Sequence, residues 1–477
     1  VNKTPGLDRI AEGGMRFDHC YVTNSICTPS RATILTGTHN HVNRVTTLHT
    51  HLDNRLPNVA KQLKSGGYQT AIIGKWHLGQ GPSHWPTGFD HWSILPGQGI
   101  YHDPLFVEMG EQTIKPGYVT DVITDESIAW LEGRDKEKPF FLMCHHKAPH
   151  RPWDPKPEHR TLYTDPISRP DTLEDDYKNR ARAAEAAHMR IARDMTYDDL
   201  DLVQLAESPG EKFAWTAHKM VPHPDELEGF SVRCRNTGEV FTFETKEELL
   251  HFKYQRYMQK YLQCVHSVDE NVGRLLDYLD EAGLSENTVV FYTSDQGFYL
   301  GEHGWFDKRF IYEESFKMPF LVRYPGMVKP GSVCSEMVSN VDFAQTFLDL
   351  AGVEQPSYMQ GASIVPLLRG EKPTDWTDLA YHRYWMNQDS IHNAYAHYGI
   401  RTHDYKLIYW YNEDCGEEGA NPGTDEPEWE LFDLRNDPKE LENVYHKREY
   451  ASVVKEMTHK LNVHMLKIGD TPMHKLT

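Results

Sequence analysis

Leu56, Val59, Ala60 and Leu63 fall on one helical face, the pair Gly66-Gly67 ends it, and a short apolar run over residues 69–73 follows. Spacing of three to four marks an amphipathic helix, and a brief apolar run bounded by turn residues marks a buried strand. The couplet recurs twice. Val119, Val122, Ile123 and Leu131 precede a strand over 140–144. The long stripe Tyr257, Tyr261, Val265, Val268, Val272, Leu276 and Leu279, stopped at Gly283, precedes one over 289–293. This alternation predicts an α/β fold with a large mixed sheet sandwiched by helices. Each strand delivers polar residues just past its carboxyl end: Gly74-Lys75-Trp76-His77, then His145-His146-Lys147-Ala148-Pro149-His150, then Ser294-Asp295-Gln296-Gly297. Open α/β sheets bind ligands at that edge, so three such coincidences locate an active site.

Residues 152–250 are rich in Pro, Asp, Arg and Glu, and 209–246 read as a surface insertion. Beyond Pro373 the rhythm changes to short alternating runs at 396–402, 405–411 and 429–434, with a last amphipathic helix near 450–468. That pattern predicts a smaller C-terminal α+β subdomain on an antiparallel sheet, dividing the chain into 1–373 and 374–477. The formal net charge of −20 excludes a nucleic-acid binder, since no basic stripe is present to neutralise phosphates. An anionic substrate would need local cations that overcome the global field. Seven scattered cysteines form no disulfide framework and lack paired metal spacing. No stretch is apolar and long enough to span a bilayer.

The chemistry concentrates at Cys27-Thr28-Pro29-Ser30-Arg31, followed by Ala32-Thr33-Ile34-Leu35-Thr36-Gly37. Pro29 suits the first position of a helix and Thr28 its cap, which sets Cys27 beside an N-terminus that favours anions. Asp295 and Gln296 offer a carboxylate and an amide oxygen on one turn, hard donors suited to Ca²⁺ or Mg²⁺. His145, His146 and His150 are too irregularly spaced, and too far from any cysteine pair, to read as zinc ligands.

The Cys-x-Pro-Ser-Arg run with Thr36-Gly37 resembles the signature of the formylglycine-dependent (type I) sulfatases, within the alkaline-phosphatase-like superfamily. Gly74-Lys75-Trp76-His77-Leu78-Gly79, Lys147-Ala148-Pro149-His150, Asp295-Gln296, Lys308 with Tyr312, and Trp429–Leu434 with Asp437-Pro438 are similar to further elements of that family, in order. Gln296 departs from the usual Asn or His. No Asp-Asp pair stands before Cys27, where the family carries two metal-binding aspartates, so the expectation is a chain lacking its first strand and any signal peptide.

The resemblance implies that Cys27 is oxidised to formylglycine by a maturation enzyme and that its hydrate attacks sulfur. It implies a metal held by position 27, Asp295 and Gln296, with Ca²⁺ expected and Mg²⁺ possible. Arg31 would polarise the hydrate, and Lys75, His77 and Lys308 would bind the sulfate. His150 would protonate the leaving alcohol, with His146 the alternative. Among such enzymes the chain looks most like bacterial carbohydrate sulfatases, particularly those resembling N-acetylglucosamine-6-sulfatases. That implies an exo-acting sugar 6-O-sulfatase in the degradation of sulfated glycans, periplasmic or secreted. Trp153 and Trp305 would wall the sugar ring, with Glu302, His303, His382, Arg383 and Arg401 as hydroxyl partners. Two alternatives stand beside this: a phosphonate or phosphate ester hydrolase of the same superfamily, and a non-catalytic glycan-binding relative.

Overall fold

The computed structural model describes residues 2–205, 220–221 and 230–476. Gln69–Lys75 is a buried strand of a five-stranded sheet, paired in parallel with His91–Leu95 on one side and Phe140–His145 on the other. Leu105–Glu108 and Glu111–Ile114 extend that sheet antiparallel. A second, four-stranded sheet runs Val290–Thr293, Phe320–Arg323, Met15–Phe17 and Ser332–Cys334. The two adjoin at Phe347, whose ring meets Phe141 of one sheet at 5.4 Å and Phe291 of the other at 5.0 Å. The mixed sheet is therefore divided between two hydrogen-bonded sets.

Helices cover these sheets for local reasons that the sequence carries. Asn58 caps the helix Val59–Ser65 by accepting from the Lys61 amide at 2.9 Å. Thr245 and Glu248 form a reciprocal capping box that starts the long helix Lys246–Glu281. That helix buries Tyr257, Val268, Val272 and Leu276 in one core with Val119, Val122 and Ile123 of the helix Val119–Gly133.

At the C-terminal end Ala380–Tyr384, His397–Arg401, Tyr405–Trp410 and Glu428–Asp433 form an antiparallel sheet. One face packs on Met457, Leu461 and Met465 of the helix Ala451–Ile468. The other face carries Tyr384, Ile408, Trp410 and Phe432 into a core shared with Phe310, Tyr312 and Phe316. We place the boundary between the two parts in the connection from Val365–Leu368 to Ala380–Tyr384, near the expected residue 373.

Three local expectations are corrected. The first helix at the site spans Cys27–Thr36, so Ile26 and not Thr28 occupies the cap position. The strand Ala380–Tyr384 was not expected, because its Tyr-His-Arg-Tyr run shows no polar alternation; all five residues are buried. Part of the segment 209–246 lies outside the described residues. The hairpin Phe230–Cys234 and Val240–Phe243 within it packs on the long helix, burying Phe230, Val232 and Phe243.

Gly74 fixes the register at the carboxyl end of the strand Gln69–Lys75. It has φ of 105°, and a Cβ there would lie 2.0 Å from the His145 carbonyl oxygen across the parallel ladder. Gly74→Ala is expected to lower the unfolding free energy by roughly 2–5 kcal/mol in denaturant titration. A change below about 1 kcal/mol would show that this close approach is not needed.

Candidate active site

The three strand ends and the helix Cys27–Thr36 converge. Cys27 is only 1% exposed, and the Lys75 ammonium stands 3.5 Å from its sulfur. Arg31, one helical turn on, donates through Nε to Asp295 Oδ2 at 2.8 Å and through Nη1 to the Lys75 carbonyl at 2.7 Å. The same Nη1 lies 3.1 Å from His145 Nδ1. Ser30 donates to the Asp295 backbone carbonyl and is itself held by Asn340 Nδ2 at 2.9 Å. Thr28 Oγ1 meets His77 Nδ1 at 3.2 Å, which is the use its hydroxyl finds in place of capping. Gly297 lets this turn lie flat on its neighbour, since a Cβ there would be 2.1 Å from the Glu314 carbonyl oxygen.

Electrostatics bind the cluster as tightly as geometry. Burial pushes the Asp295 carboxyl up, but the Arg31, Lys75 and Lys308 charges outweigh it and hold the group well below the usual carboxylate range. Burial lowers Lys75, with Cys27 and Asp295 opposing it. His77 and His150 are both held well below 6.5, first by burial and then by Lys75; Lys308 acts on both. His150 Nδ1 faces the Arg151 carbonyl at 2.5 Å, leaving Nε2 as its free nitrogen.

Gln296 Oε1 is buried with no hydrogen-bond partner beside the Asp295 carboxylate. An orphaned amide oxygen next to a carboxylate suits a hard divalent cation in kind, although two such oxygens are fewer than Ca²⁺ takes.

Other expected residues lie elsewhere. Trp153 and Trp305 are fully buried, so neither offers a ring face to a sugar. Trp153 donates to the Pro149 carbonyl at 2.7 Å and packs against Tyr257, thereby bracing the loop that carries His150. His303 is buried between Asp175 at 3.2 Å and Glu314 at 3.6 Å, away from any substrate surface. Glu302 turns back onto the Leu300 amide. His382 bonds to Ser25, Arg383 to Asp470, and Arg401 to Glu313, all buried. His146 faces Thr124 Oγ1 at 3.1 Å, on the side of the strand opposite the cluster. Apart from Trp305, which packs against Tyr177, Tyr299 and Phe310, an internal ionic or hydrogen-bond partner took the group that composition alone left free.

Three groups at the site were not singled out from sequence. His145 joins Arg31 and the Lys75 carbonyl. Lys147, 3% exposed, lies over the Tyr101 ring at 4.6 Å, and burial followed by Lys75 pulls its ammonium down to about 7. Asp307 is ringed by Lys308 at 2.9 Å, Arg151 at 3.4 Å and Arg309 at 3.7 Å, with His392 Nε2 at 2.9 Å. The adjacency Asp307-Lys308 and the Lys147-Ala148-Pro149-His150 string were the available signals.

The Sulfatase family model matches residues 1–353, and the model for the N-sulphoglucosamine sulphohydrolase C-terminal region matches 301–467. The chain belongs to the sulfatase family. It is 46% identical over 465 residues to an N-acetylglucosamine-6-O-sulfatase of Bacteroides thetaiotaomicron, covering 95% of this chain and 80% of that protein. It is 27% identical over 401 residues to human N-acetylglucosamine-6-sulfatase, covering 79% of this chain and 62% of that protein. A solved sulfatase-fold structure, in complex with its substrate D-glucosamine-2-N,6-O-disulfate, superposes with a TM-score of 0.85 at 43% identity, covering 98% of this chain and 93% of that one. This sulfatase is thus a sulfuric ester hydrolase, and its family works with a formylglycine and a divalent metal. Among the described residues no helix is long and apolar enough to cross a membrane.

The internal role of His303 is directly measurable. Burial lowers its basicity, but Asp175 and Glu314 outweigh burial and raise it to about 9. Because the folded value lies above the ordinary 6.5, the stabilisation is complete below about 6.5 and is lost as pH rises through about 9. His303→Gln is expected to cost about 3 kcal/mol at pH 6, with the deficit shrinking toward pH 10. A deficit that stays constant from pH 6 to 10 would contradict this ion pairing.

Proposed function

We propose that this sulfatase removes 6-O-sulfate from terminal N-acetylglucosamine or glucosamine residues of sulfated glycans. The observation that carries the reading is the depth of Cys27, 1% exposed and overlooked by Lys75 at 3.5 Å. A sulfate borne on a flexible primary CH₂ arm reaches such a position more readily than one attached directly to a ring carbon. A cavity of about 110 Å³ beside it, lined by Thr28, His51, His77 and Gln80 among others, opens the way in. The two N-acetylglucosamine-6-sulfatases named above and the glucosamine disulfate complex support the same choice.

We assign the metal as Ca²⁺, with Mg²⁺ the second choice, held by Asp295, Gln296 and position 27, and formylglycine as the matured form of Cys27 made by a separate enzyme. When present, the metal supplies a Lewis-acid clamp on a sulfate oxygen and the formylglycine supplies the nucleophile. Arg31, held by Asp295, the Lys75 carbonyl and His145, orients position 27. Lys75, Lys147 and Lys308 supply the positive field for the spreading sulfuryl charge. His77, kept neutral and tied to Thr28, fixes the wall of the cavity. His150 is deprotonated among these ammonium groups, and an arriving anionic ester offsets their field and raises its basicity, readying Nε2 to protonate the leaving alcohol. Asp307, Arg309 and His392 replace the expected Glu302, His303, His382, Arg383 and Arg401 as the polar groups for sugar hydroxyls; Arg309 Nε and Nη1 are buried without hydrogen-bond partners. A periplasmic or secreted location fits such a substrate.

The test compares the matured enzyme on N-acetylglucosamine 6-sulfate, galactose 6-sulfate, a 2-sulfated uronic acid unit, an aryl sulfate and a phosphonate monoester. kcat/KM is expected to favour N-acetylglucosamine 6-sulfate by at least about tenfold. Preference for the uronic acid, the aryl ester or the phosphonate would overturn the substrate assignment.

A further inference from the structure

Just beyond the loop that carries His150, the 3₁₀ turn Pro157–His159 meets the long helix Lys246–Glu281 through His159, His266 and Glu270. His266 and Glu270 are one helical turn apart and face the same way. His159 Nε2 lies 3.0 Å from one Glu270 carboxylate oxygen, and His266 Nε2 lies 3.5 Å from the other. The two imidazoles stand edge to face with centroids 4.8 Å apart.

Each ring is also held through its other nitrogen. Ser267 Oγ lies 2.9 Å from His159 Nδ1, and the Tyr163 hydroxyl lies 3.1 Å from His266 Nδ1. Both rings thereby turn Nε2 toward the Glu270 carboxylate. Two imidazole nitrogens and a carboxylate facing one another form a donor set of the kind that zinc takes. A partner on the distal nitrogen fixes the ring orientation that a metal-ligating histidine needs.

We propose that His159, His266 and Glu270 form a second metal site, separate from the catalytic one, that takes Zn²⁺. Zinc bonds of about 2.0–2.1 Å in a tetrahedron set neighbouring ligand atoms about 3.3 Å apart, and one ligand atom from each of the three residues lies within 4.8 Å of the other two. His159 is buried while His266 and Glu270 are part exposed, which gives an entry path and room for water as fourth ligand. In the rival cluster Glu336, Asp378 and His403 a cation is already in place, because the Lys372 ammonium lies 2.6 Å from Glu336 and 2.8 Å from Asp378. The zinc would staple the chain leaving the His150 loop onto the longest helix of the fold.

The experiment loads chelator-treated full-length protein with Zn²⁺ in excess Ca²⁺, removes free metal by gel filtration, and counts bound zinc by elemental mass spectrometry. One zinc per chain is expected in the wild type and in Cys27→Ala, which removes the catalytic thiol as a competing ligand. His266→Ala and Glu270→Gln, both at part-exposed positions, should each weaken zinc binding at least about tenfold while circular dichroism shows the fold retained. Co²⁺ substitution should give visible tetrahedral absorption that the same two variants lose. Absence of bound zinc in the wild type, its loss in Cys27→Ala, or full retention in both ligand variants would overturn the proposal.

Discussion

Arg31 reaches Asp295 at 2.8 Å where both side chains are almost nine-tenths hidden from water, at 11% and 12% exposure. Arg31 comes from the helix that begins at Cys27, and Asp295 from the turn after Val290–Thr293. Through Nη1 Arg31 also meets the end of Gln69–Lys75 and the end of Phe140–His145. One guanidinium therefore collects four separate elements, and its rigid fork of donors is what allows this. Losing one partner of such a pair leaves an uncompensated buried charge, at a cost of about 3–5 kcal/mol. The position of Cys27, the orientation of Asp295 and the approach of Lys75 all follow from this contact.

Around it the charge does not balance. Lys75, Lys147, Lys308, Arg31 and Arg309 gather where Asp295 and Asp307 are the carboxylates, in a chain whose formal net charge is −20. The mutual repulsion and burial show in Lys147, pulled down to about 7, and in His77 and His150, held neutral. An anion entering this space relieves that strain at every group simultaneously. Affinity for a sulfate ester thus comes from a local, low-dielectric field that the acidic exterior does not cancel. The same acidic exterior keeps unselected polyanions such as nucleic acid away.

Much of this was legible in the residues because each signal had two independent parts. The couplets of helical face and short apolar run located Gln69–Lys75, Phe140–His145 and Val290–Thr293 to within two residues at each end. The polar residues at their ends do converge on Cys27. Lys308 and Gln296 came from the order of the family resemblance more than from local pattern. What remained hidden depended on contacts far apart in sequence. Trp153, Trp305, His303, Arg383 and Arg401 are polar or amphipathic side chains of the kind found at ligand rims, yet Asp175, Asp470 and Glu313 claim three of them inside the protein. Asp307 and Lys147 gave weak local signals, since their importance lies in partners far away in sequence: Arg151 and His392 for the first, Lys75 and Tyr101 for the second. Thr28 illustrates the same limit at short range, because a plausible cap gave way to a histidine from another strand.

Turnover by this sulfatase should depend on the chemical state of position 27 alone. Protein co-expressed with a formylglycine-generating enzyme can be fractionated and the peptide containing position 27 quantified by mass spectrometry, alongside sulfate release from N-acetylglucosamine 6-sulfate in Ca²⁺. The account predicts that the rate scales linearly with the formylglycine fraction and vanishes in Cys27→Ala, although Cys27→Ala folds normally. Sulfate release by Cys27→Ala at the wild-type rate would contradict it.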